Sequence, residues 1–376
     1  MRPEIIRAST VPLSLNLLLE GQLRMLSDEY EVVAVSSPGP DLDAVAAREG
    51  VRVVPIPMER RISLWKDLIS LLRLIALFSR EKPQIVHSMT PKAGLLSMLA
   101  ARICRVPVRI HTFTGLVFPS AKGLKKLLLI ATDRLTCSCA TYINPEGLGV
   151  KNNLSRITSR PLHIIGNGNV NGIDLTYFDR TPEVLAKAAE IRQSRFQFTF
   201  CFVGRIVGDK GINELATAFV RLNREHPTCR LLLVGSPEPE LDPLERETEE
   251  ILRNHPAVTC AGWQNDIRPF LAASDVFVFP SYREGFPNVV LQAGAMGIPC
   301  IVTDINGCNE IIKNGVNGLI IPPKDAESLY KAMNEYLISP AMLSAHASHS
   351  RKMIAERYDR QYLWSCLRKV YKEQIS

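Results

Sequence analysis

Several things are missing from this chain. Its nine cysteines are odd in number and scattered, with no CxxC, and only Cys137 and Cys139 stand close together. That pattern reads as small buried thiols in a reducing compartment, not as a disulfide framework. The seven histidines show no HExxH or other ligand spacing, so no metal site is expected. No run approaches the roughly 18 uncharged apolar residues that a membrane span needs. The N-terminal MRPEIIRAST lacks the apolar core of a signal peptide. A cytoplasmic protein, at most lying on the inner face of a membrane, is expected. No recognition motif and no Lys/Arg stripe interleaved with aromatics points to nucleic acid. Ala8-Ser9-Thr10-Val11-Pro12 follows the first apolar strand where a dinucleotide enzyme would carry GxGxxG, which excludes an ordinary NAD oxidoreductase. There is no short repeat, no low-complexity segment, and no pair of carboxylates set as in glycosidases.

What is present is a globular chain of 376 residues, 46% hydrophobic and 22% charged, long enough for two domains. A net charge of +7 suits an anionic partner such as a nucleotide or a phospholipid surface. Short apolar runs alternate with helical spacing. Glu4–Ala8, Glu31–Ser37, Val51–Ile56, Ile85–Met89, Val108–Phe113 and Thr141–Asn144 read as strands, with helices at Leu15–Leu26, Leu64–Arg80, Pro91–Ile103 and Leu124–Leu135 between them. The segment from Pro161 to Asp179, crowded with Gly and Asn, breaks the rhythm, and a second strand–helix alternation runs from Thr199. The pattern predicts an α/β protein of two doubly wound, Rossmann-like domains facing a cleft. Residues 1–165 form the first, 166–180 the linker and 181–358 the second, with an amphipathic helix at about 359–376.

The most informative stretch is Arg283–Pro299. A buried strand (Asp275–Pro280), a turn at Gly285 and a helix opened by Pro287 present backbone N–H groups at the strand's carboxyl end, a place for phosphate. Glu284 stands at its mouth and Gln292 lies on the helix. Upstream, Phe202-Val203-Gly204-Arg205 ends another strand and Lys210-Gly211 opens the next helix. A bidentate guanidinium with an ammonium five residues on makes a diphosphate clamp. Trp263, at a further strand end, is a candidate to pack on a base, or equally a core residue. In the first half, His87 lies near a strand end and is a candidate to line an acceptor site, and His111, on the next strand, is either a catalytic candidate pointing into the cleft or a histidine packed in the sheet. Lys92 opens a helix and is a candidate for an acceptor phosphate. Arg60, Arg61 and Lys66 flank Ile62, Leu64, Trp65, Leu68, Leu71, Leu72, Ile75 and Phe78, and residues 118–129 mix aromatic, basic and aliphatic side chains. Both stretches fit a face lying on anionic lipid; 62–78 fits the inner stripe of a covering helix as well.

Arg205…Lys210-Gly211, Glu284-Gly285-Phe286-Pro287-Asn288, Gly307…Asn309-Glu310, Asn317-Gly318 and the linker Asn171-Gly172-Ile173-Asp174 together resemble glycosyltransferase family 4 over nearly the whole chain. His87-Ser88-Met89-Thr90-Pro91-Lys92 and Thr114-Gly115-Leu116-Val117-Phe118 are similar to bacterial capsular and exopolysaccharide transferases. The resemblance implies the GT-B fold, with the C-terminal helix crossing back to the first domain. It implies retaining, metal-independent transfer of a hexose or N-acetylhexosamine from a nucleotide sugar, a UDP-sugar before a GDP-sugar, to a polyprenyl-diphosphate-linked saccharide, with no cofactor. Arg205 and Lys210 would hold the donor diphosphate beside Gly204, and Glu284 would meet sugar hydroxyls. Backbone N–H groups of Gly285, Phe286, Asn288 and Val289 would meet sugar and phosphate oxygens. Two positions depart from the family pattern. Gln292 stands where a ribose-binding Glu is usual, and Thr114 stands where many members have a His before Gly115, leaving His111 as the nearby imidazole. Those departures keep open a sugar-nucleotide-binding protein without turnover; a nucleotide-sugar 2-epimerase is the other alternative on this fold.

Overall fold

The computed structural model describes residues 2–59, 63–240 and 242–375. The expected basic pair Arg60-Arg61 and Ile62 lie outside them. The chain divides into two compact units, Met1–Gly172 with Arg360–Ser376, and Ile173–Asp359. The segment expected to link the domains is thus divided between them at Gly172.

In the first unit the order is β1 (Glu4–Ala8), α1 (Pro12–Leu18), α2 (Gln22–Ser27), β2 (Glu31–Ser36), α3 (Pro40–Glu49), β3 (Arg52–Pro55), α4 (Leu64–Glu81), β4 (Ile85–Met89), α5 (Pro91–Ile103), β5 (Val108–Phe113), α6 (Gly123–Cys139), β6 (Tyr142–Pro145) and α7 (Leu148–Leu154). All six strands are parallel, in the order β3-β2-β1-β4-β5-β6. Ile6 is in register with Val33 on one side and Val86 on the other, so the central strands are apolar on both faces and helices cover both. The single helix read over Leu15–Leu26 is two, parted at Gly21, whose φ of 76° belongs to the left-handed region.

The second unit runs α8 (Pro182–Ile191), β7 (Phe198–Val203), α9 (Ile212–Glu225), β8 (Cys229–Val234), α10 (Arg246–Asn254), β9 (Val258–Cys260), α11 (Arg268–Ala272), β10 (Val276–Phe279), α12 (Asn288–Ala295), β11 (Cys300–Thr303), α13 (Cys308–Ile311), β12 (Gly318–Ile321), α14 (Ala326–Ile338) and α15 (Pro340–Tyr358). Its sheet, β12-β11-β10-β7-β8-β9, repeats the first arrangement. The strand order reverses between β1 and β4 in one sheet and between β7 and β10 in the other. These switch points open a crevice at the strands' carboxyl ends, where doubly wound folds hold ligands.

The last helix, α16 (Arg360–Ile375), belongs to the first unit. Leu363, Leu367 and Tyr371, four residues apart, are buried in that unit's core. The Tyr371 hydroxyl meets a fully buried polar chain. Arg7 Nη1 donates to it at 3.1 Å and to Gln22 Oε1 at 2.7 Å. His87 Nδ1 lies 2.7 Å from the same hydroxyl and its Nε2 2.7 Å from Thr112 Oγ1, which also accepts from Asn144 Nδ2 at 3.0 Å. Arg7 can only donate, so its burial depends on these neutral acceptors. Replacing Tyr371→Phe should therefore lower the stability of this unit by about 1–3 kcal/mol, the cost of stranding buried polar partners. Urea unfolding of the two proteins checks this, and a change below about 0.5 kcal/mol, typical of a surface site, would contradict it.

Candidate active site

The richest cluster stands at the switch point of the second sheet. β7 ends at Val203 and hands over to Gly204 and the exposed Arg205, whose Nη1 lies 3.5 Å from Glu238 Oε2. A short 3₁₀ turn, Gly208–Lys210, leads into α9 through Gly211. Gly211 has φ 72°, and a β-carbon there would sit 2.2 Å from the Pro280 carbonyl oxygen, so only glycine lets this turn lie against the end of β10. The turn presents Lys210 to the facing loop. Lys210 Nζ pairs with Glu284 Oε1, which also accepts from Ser281 Oγ at 3.0 Å, and both side chains are largely buried. The ammonium stands 5.7 Å from the centre of the Phe279 ring.

The two loops are joined beyond this pair. Tyr282 N donates to Asp209 O at 2.9 Å, and Arg283 Nη2 reaches Asp209 Oδ2 at 3.1 Å. Tyr282 Oη donates to Glu214 Oε1 at 2.6 Å. Gly307 presses on the same loop from the other side: a β-carbon there would lie 2.6 Å from the Gly285 carbonyl oxygen and 2.7 Å from the Phe286 Cα. Phe286 is buried and meets Tyr358 edge-on at 5.5 Å. After Pro287 α12 begins without a side-chain cap, Asn288 and Val289 forming its first turn and Gln292 following one turn later, half-buried. The structure thus brings Lys210, Glu284, Gly285, Phe286, Asn288, Val289 and Gln292 to one strand–loop–helix junction, with Arg205 on the neighbouring strand end. A cation held by a carboxylate beside an uncapped helix start can take an anionic group and, once the carboxylate is released, hydrogen-bond hydroxyls. Trp263 is placed elsewhere. It is 65% exposed on the loop after the edge strand β9, its Nε1 3.3 Å from Asn265 Oδ1, with β8 between it and β7. The core reading of Trp263 is corrected, and the structure does not bring it to the Lys210–Glu284 pair.

Residues that pattern reading passed over complete the junction. Ser281 and Asp209 fix the loops that carry Glu284 and Lys210. Their only signal in the sequence was position, directly after a strand and directly before the lysine. Cys308 is buried nearby, and burial pushes its thiol well above the usual range, leaving it inert.

In the first unit the predicted residues scatter. His87 belongs to the buried chain around Tyr371. His111 is buried on β5, its Nδ1 2.9 Å from Ser88 Oγ and its ring against Phe113 and over Gly94, where a β-carbon would clash at 2.2 Å. Burial holds His111 down at about 3 and His87 well below 6.5. His111 is thus a neutral packing and hydrogen-bonding member of the sheet, and no step below is assigned to it. Lys92 Nζ is paired with Asp67 Oδ1 at 2.6 Å across α5 and α4. Thr114 and Gly115 are half-buried just past β5, at the carboxyl edge. At this unit's own switch point Thr10 and Thr90 join hydroxyls at 2.8 Å, and Thr10 Oγ1 accepts from Ala93 N at 3.0 Å. Thr90 holds φ 68°, a left-handed value that costs a β-branched residue about 1–3 kcal/mol. Such strain is seldom kept away from a working surface, and nothing in the sequence but the following Pro91 signalled it.

Comparison with known proteins follows this geometry. The profile described as "Glycosyl transferases group 1" matches residues 197–339, and that described as "Glycosyl transferase 4-like domain" matches residues 19–143. A capsular polysaccharide biosynthesis glycosyltransferase of Staphylococcus aureus, CapM, is 33% identical over 360 residues, 94% of this chain and 93% of that protein. This chain belongs to the family 4 glycosyltransferases. Escherichia coli UDP-Gal:α-D-GlcNAc-diphosphoundecaprenol α-1,3-galactosyltransferase is 31% identical over 84% of each chain. The fold agrees: Anabaena HepE, solved with UDP, superposes at a TM-score of 0.83 with 17% identity over 99% of this chain and 100% of that one. The glycosyltransferase therefore has the GT-B architecture, and its two profile matches fall one in each unit.

The two buried imidazoles give this glycosyltransferase a definite acid response. Each takes a proton near pH 6.5 when unfolded but not when folded, so their contribution is intact above that pH and is lost as pH falls toward the folded value, about 3 for His111 and well below 6.5 for His87. Between those limits each costs about 1.4 kcal/mol of stability per pH unit. The substitution His111→Asn should roughly halve the slope that the pair contributes. Urea unfolding between about pH 4 and pH 7 reads it, and an unchanged slope would mean His111 is protonated in the fold.

Proposed function

We propose that this glycosyltransferase moves a hexose or N-acetylhexosamine from a UDP-sugar to a polyprenyl-diphosphate-linked saccharide in surface polysaccharide assembly, working at the inner face of the cytoplasmic membrane. The observation that carries the reading is the near full-length likeness to a transferase named for UDP-Gal and a diphosphoundecaprenol acceptor, joined to a clamp of suitable charge at the switch point. The capsular relative supports a place in surface polysaccharide assembly, and the UDP complex of Anabaena HepE supports a UDP-linked donor on this fold.

The donor diphosphate takes Lys210 from Glu284 and adds Arg205, which the loose contact with Glu238 leaves available. Glu284, released, accepts hydrogen bonds from the donor sugar. Backbone N–H groups of Gly285, Phe286, Asn288 and Val289 complete the cradle. The acceptor hydroxyl bonds to the anomeric carbon as the bond from that carbon to the diphosphate oxygen breaks. That oxygen takes the hydroxyl proton, UDP leaves, and attack on the leaving-group face retains configuration. Negative charge grows on the diphosphate during this step, and fixed cations and helix-end dipoles already face it. These residues supply the positive charge, so the mechanism assigns no role to a metal.

Removing such a charge should cost about 100-fold or more in kcat. Lys210→Ala is expected to do so in an assay of labelled sugar passing from UDP-sugars into a polyprenyl-diphosphate saccharide. Full activity in that variant would end the mechanism. UDP-sugars should raise the unfolding temperature of the parent protein, and GDP- and ADP-sugars should not. In the same assay Gln292→Glu should tighten UDP-sugar binding through a charged acceptor for the ribose diol. Weaker binding would mean that Gln292 does not face the ribose.

A further inference from the structure

We propose that the amino-terminal ends of α4 and α6 form one docking surface for an anionic lipid bilayer, which holds the carboxyl edge of the first sheet toward the membrane. The proposal rests on the reading of a lipid-linked acceptor and names the surface that would bring the enzyme to it.

α4 carries two apolar stripes where a covering helix needs one. Ser70, Leu74, Leu77 and Phe78 are buried inward. Leu64, Leu68 and Leu72, with Trp65 and Ile69 alongside, repeat every four residues on an outward stripe. Leu64 is 82% and Trp65 80% exposed. All five lie in the first half of the helix. α6 is also most exposed at its start: Leu124 is 82% and Leu127 64% exposed, with Leu128 beside them; farther along Leu135 is the exposed leucine, while Thr136, Cys137 and Cys139 are buried. α4, α5 and α6 follow β3, β4 and β5 in turn, and α5 packs against both of the others. Their amino-terminal ends therefore line one edge of the sheet, the edge that holds Thr90, Thr114 and Gly115.

Charge selects the occupant. Between Glu81 and Asp133 there is no Asp or Glu, and of the eight Lys or Arg in that stretch Lys92, Lys122, Lys125 and Lys126 lie at the helix amino ends. Lys122, Lys125 and Lys126 are exposed around Leu124 and Leu127. The nearby acids do not offset them, because Asp67 is paired with Lys92 and Glu59 with Lys66. A second copy of this chain would bring like charge against like charge. An anionic bilayer accepts both components: leucines and an interfacial tryptophan enter the acyl boundary, while lysines reach the headgroups. Among the described residues no helix is long and apolar enough to cross a membrane, so the contact is peripheral.

The test uses the full chain with vesicles of phosphatidylcholine alone or with phosphatidylglycerol added, followed by co-sedimentation. The parent should bind the anionic vesicles at least about tenfold more tightly, with a preference that falls as salt rises. The triple variant K122S/K125S/K126S should lose that preference, and the double variant W65S/L124S should lose binding to both kinds of vesicle. Each variant should still transfer sugar to a water-soluble short-chain acceptor and keep its UDP-induced thermal shift. Vesicle binding unchanged in both variants overturns the surface. So does a parent dimer that the double variant turns into monomer, which would assign the face to a second copy. If the parent binds vesicles as expected but transfers sugar to no acceptor, the transferase reading fails while the surface stands.

Discussion

A lysine and a glutamate from two strand-end loops hold one another at the switch point of the second sheet, and the arrangement of the proposed donor site depends on that pair. Lys210 and Glu284 are 74 residues apart in sequence and largely buried. An ion pair taken out of water gains little net stability, because desolvation offsets attraction. Its value lies in placement. Ser281 fixes the carboxylate, Gly211 and Asp209 fix the turn that bears the ammonium, and Gly307 sets the height of the loop between them. Each partner keeps the other in place until an anion arrives. On the proposed reading that anion does not meet a bare charge. It exchanges one carboxylate for two phosphates, and the carboxylate turns from counter-ion into hydrogen-bond acceptor for the sugar.

Much of this was legible in the sequence because it rests on local rules. Parallel strands buried on both faces read as short apolar runs, and helices between them read by spacing. Arg205, Lys210 and Glu284 are readable from the sequence as residues that follow strand ends. What was not legible depends on residues far apart. Gly21 cuts one helix into two by a left-handed turn. His87 looked like a site residue because it stands near a strand end, and His111 because it lies three residues before Thr114, but the registers of β4 and β5 turn them inward, against Tyr371 and Gly94. Trp263 was equally readable as core, but β9 is an edge strand and leaves it in solvent. Thr90 gave no sign, because backbone strain follows from how α5 must start and not from the identity of the residue.

The two units use one topology in opposite ways. In the second, the switch point is charged and paired. In the first, the corresponding place is lined by neutral hydroxyls, Thr10 and Thr90, and the nearby imidazoles are locked and uncharged. A sheet edge of that kind suits an acceptor that brings its own charge and must be held by shape and by a surface outside the sheet. The basic, apolar helix ends of α4 and α6 stand on that same edge.

Gln292 extends the argument to the donor. It sits one turn into α12, near the positive end of the helix, where a carboxylate would be stabilised by the dipole and is the family's usual choice. An amide there removes one negative charge from a site that also holds Arg205, Lys210, Glu284 and the Arg283–Asp209 pair. Repulsion toward a diphosphate falls, and so does the strength with which a ribose diol is accepted. On the proposed reading the chain moves binding weight from the ribose to the phosphates. On that reading, discrimination among nucleotides comes from contacts to the base.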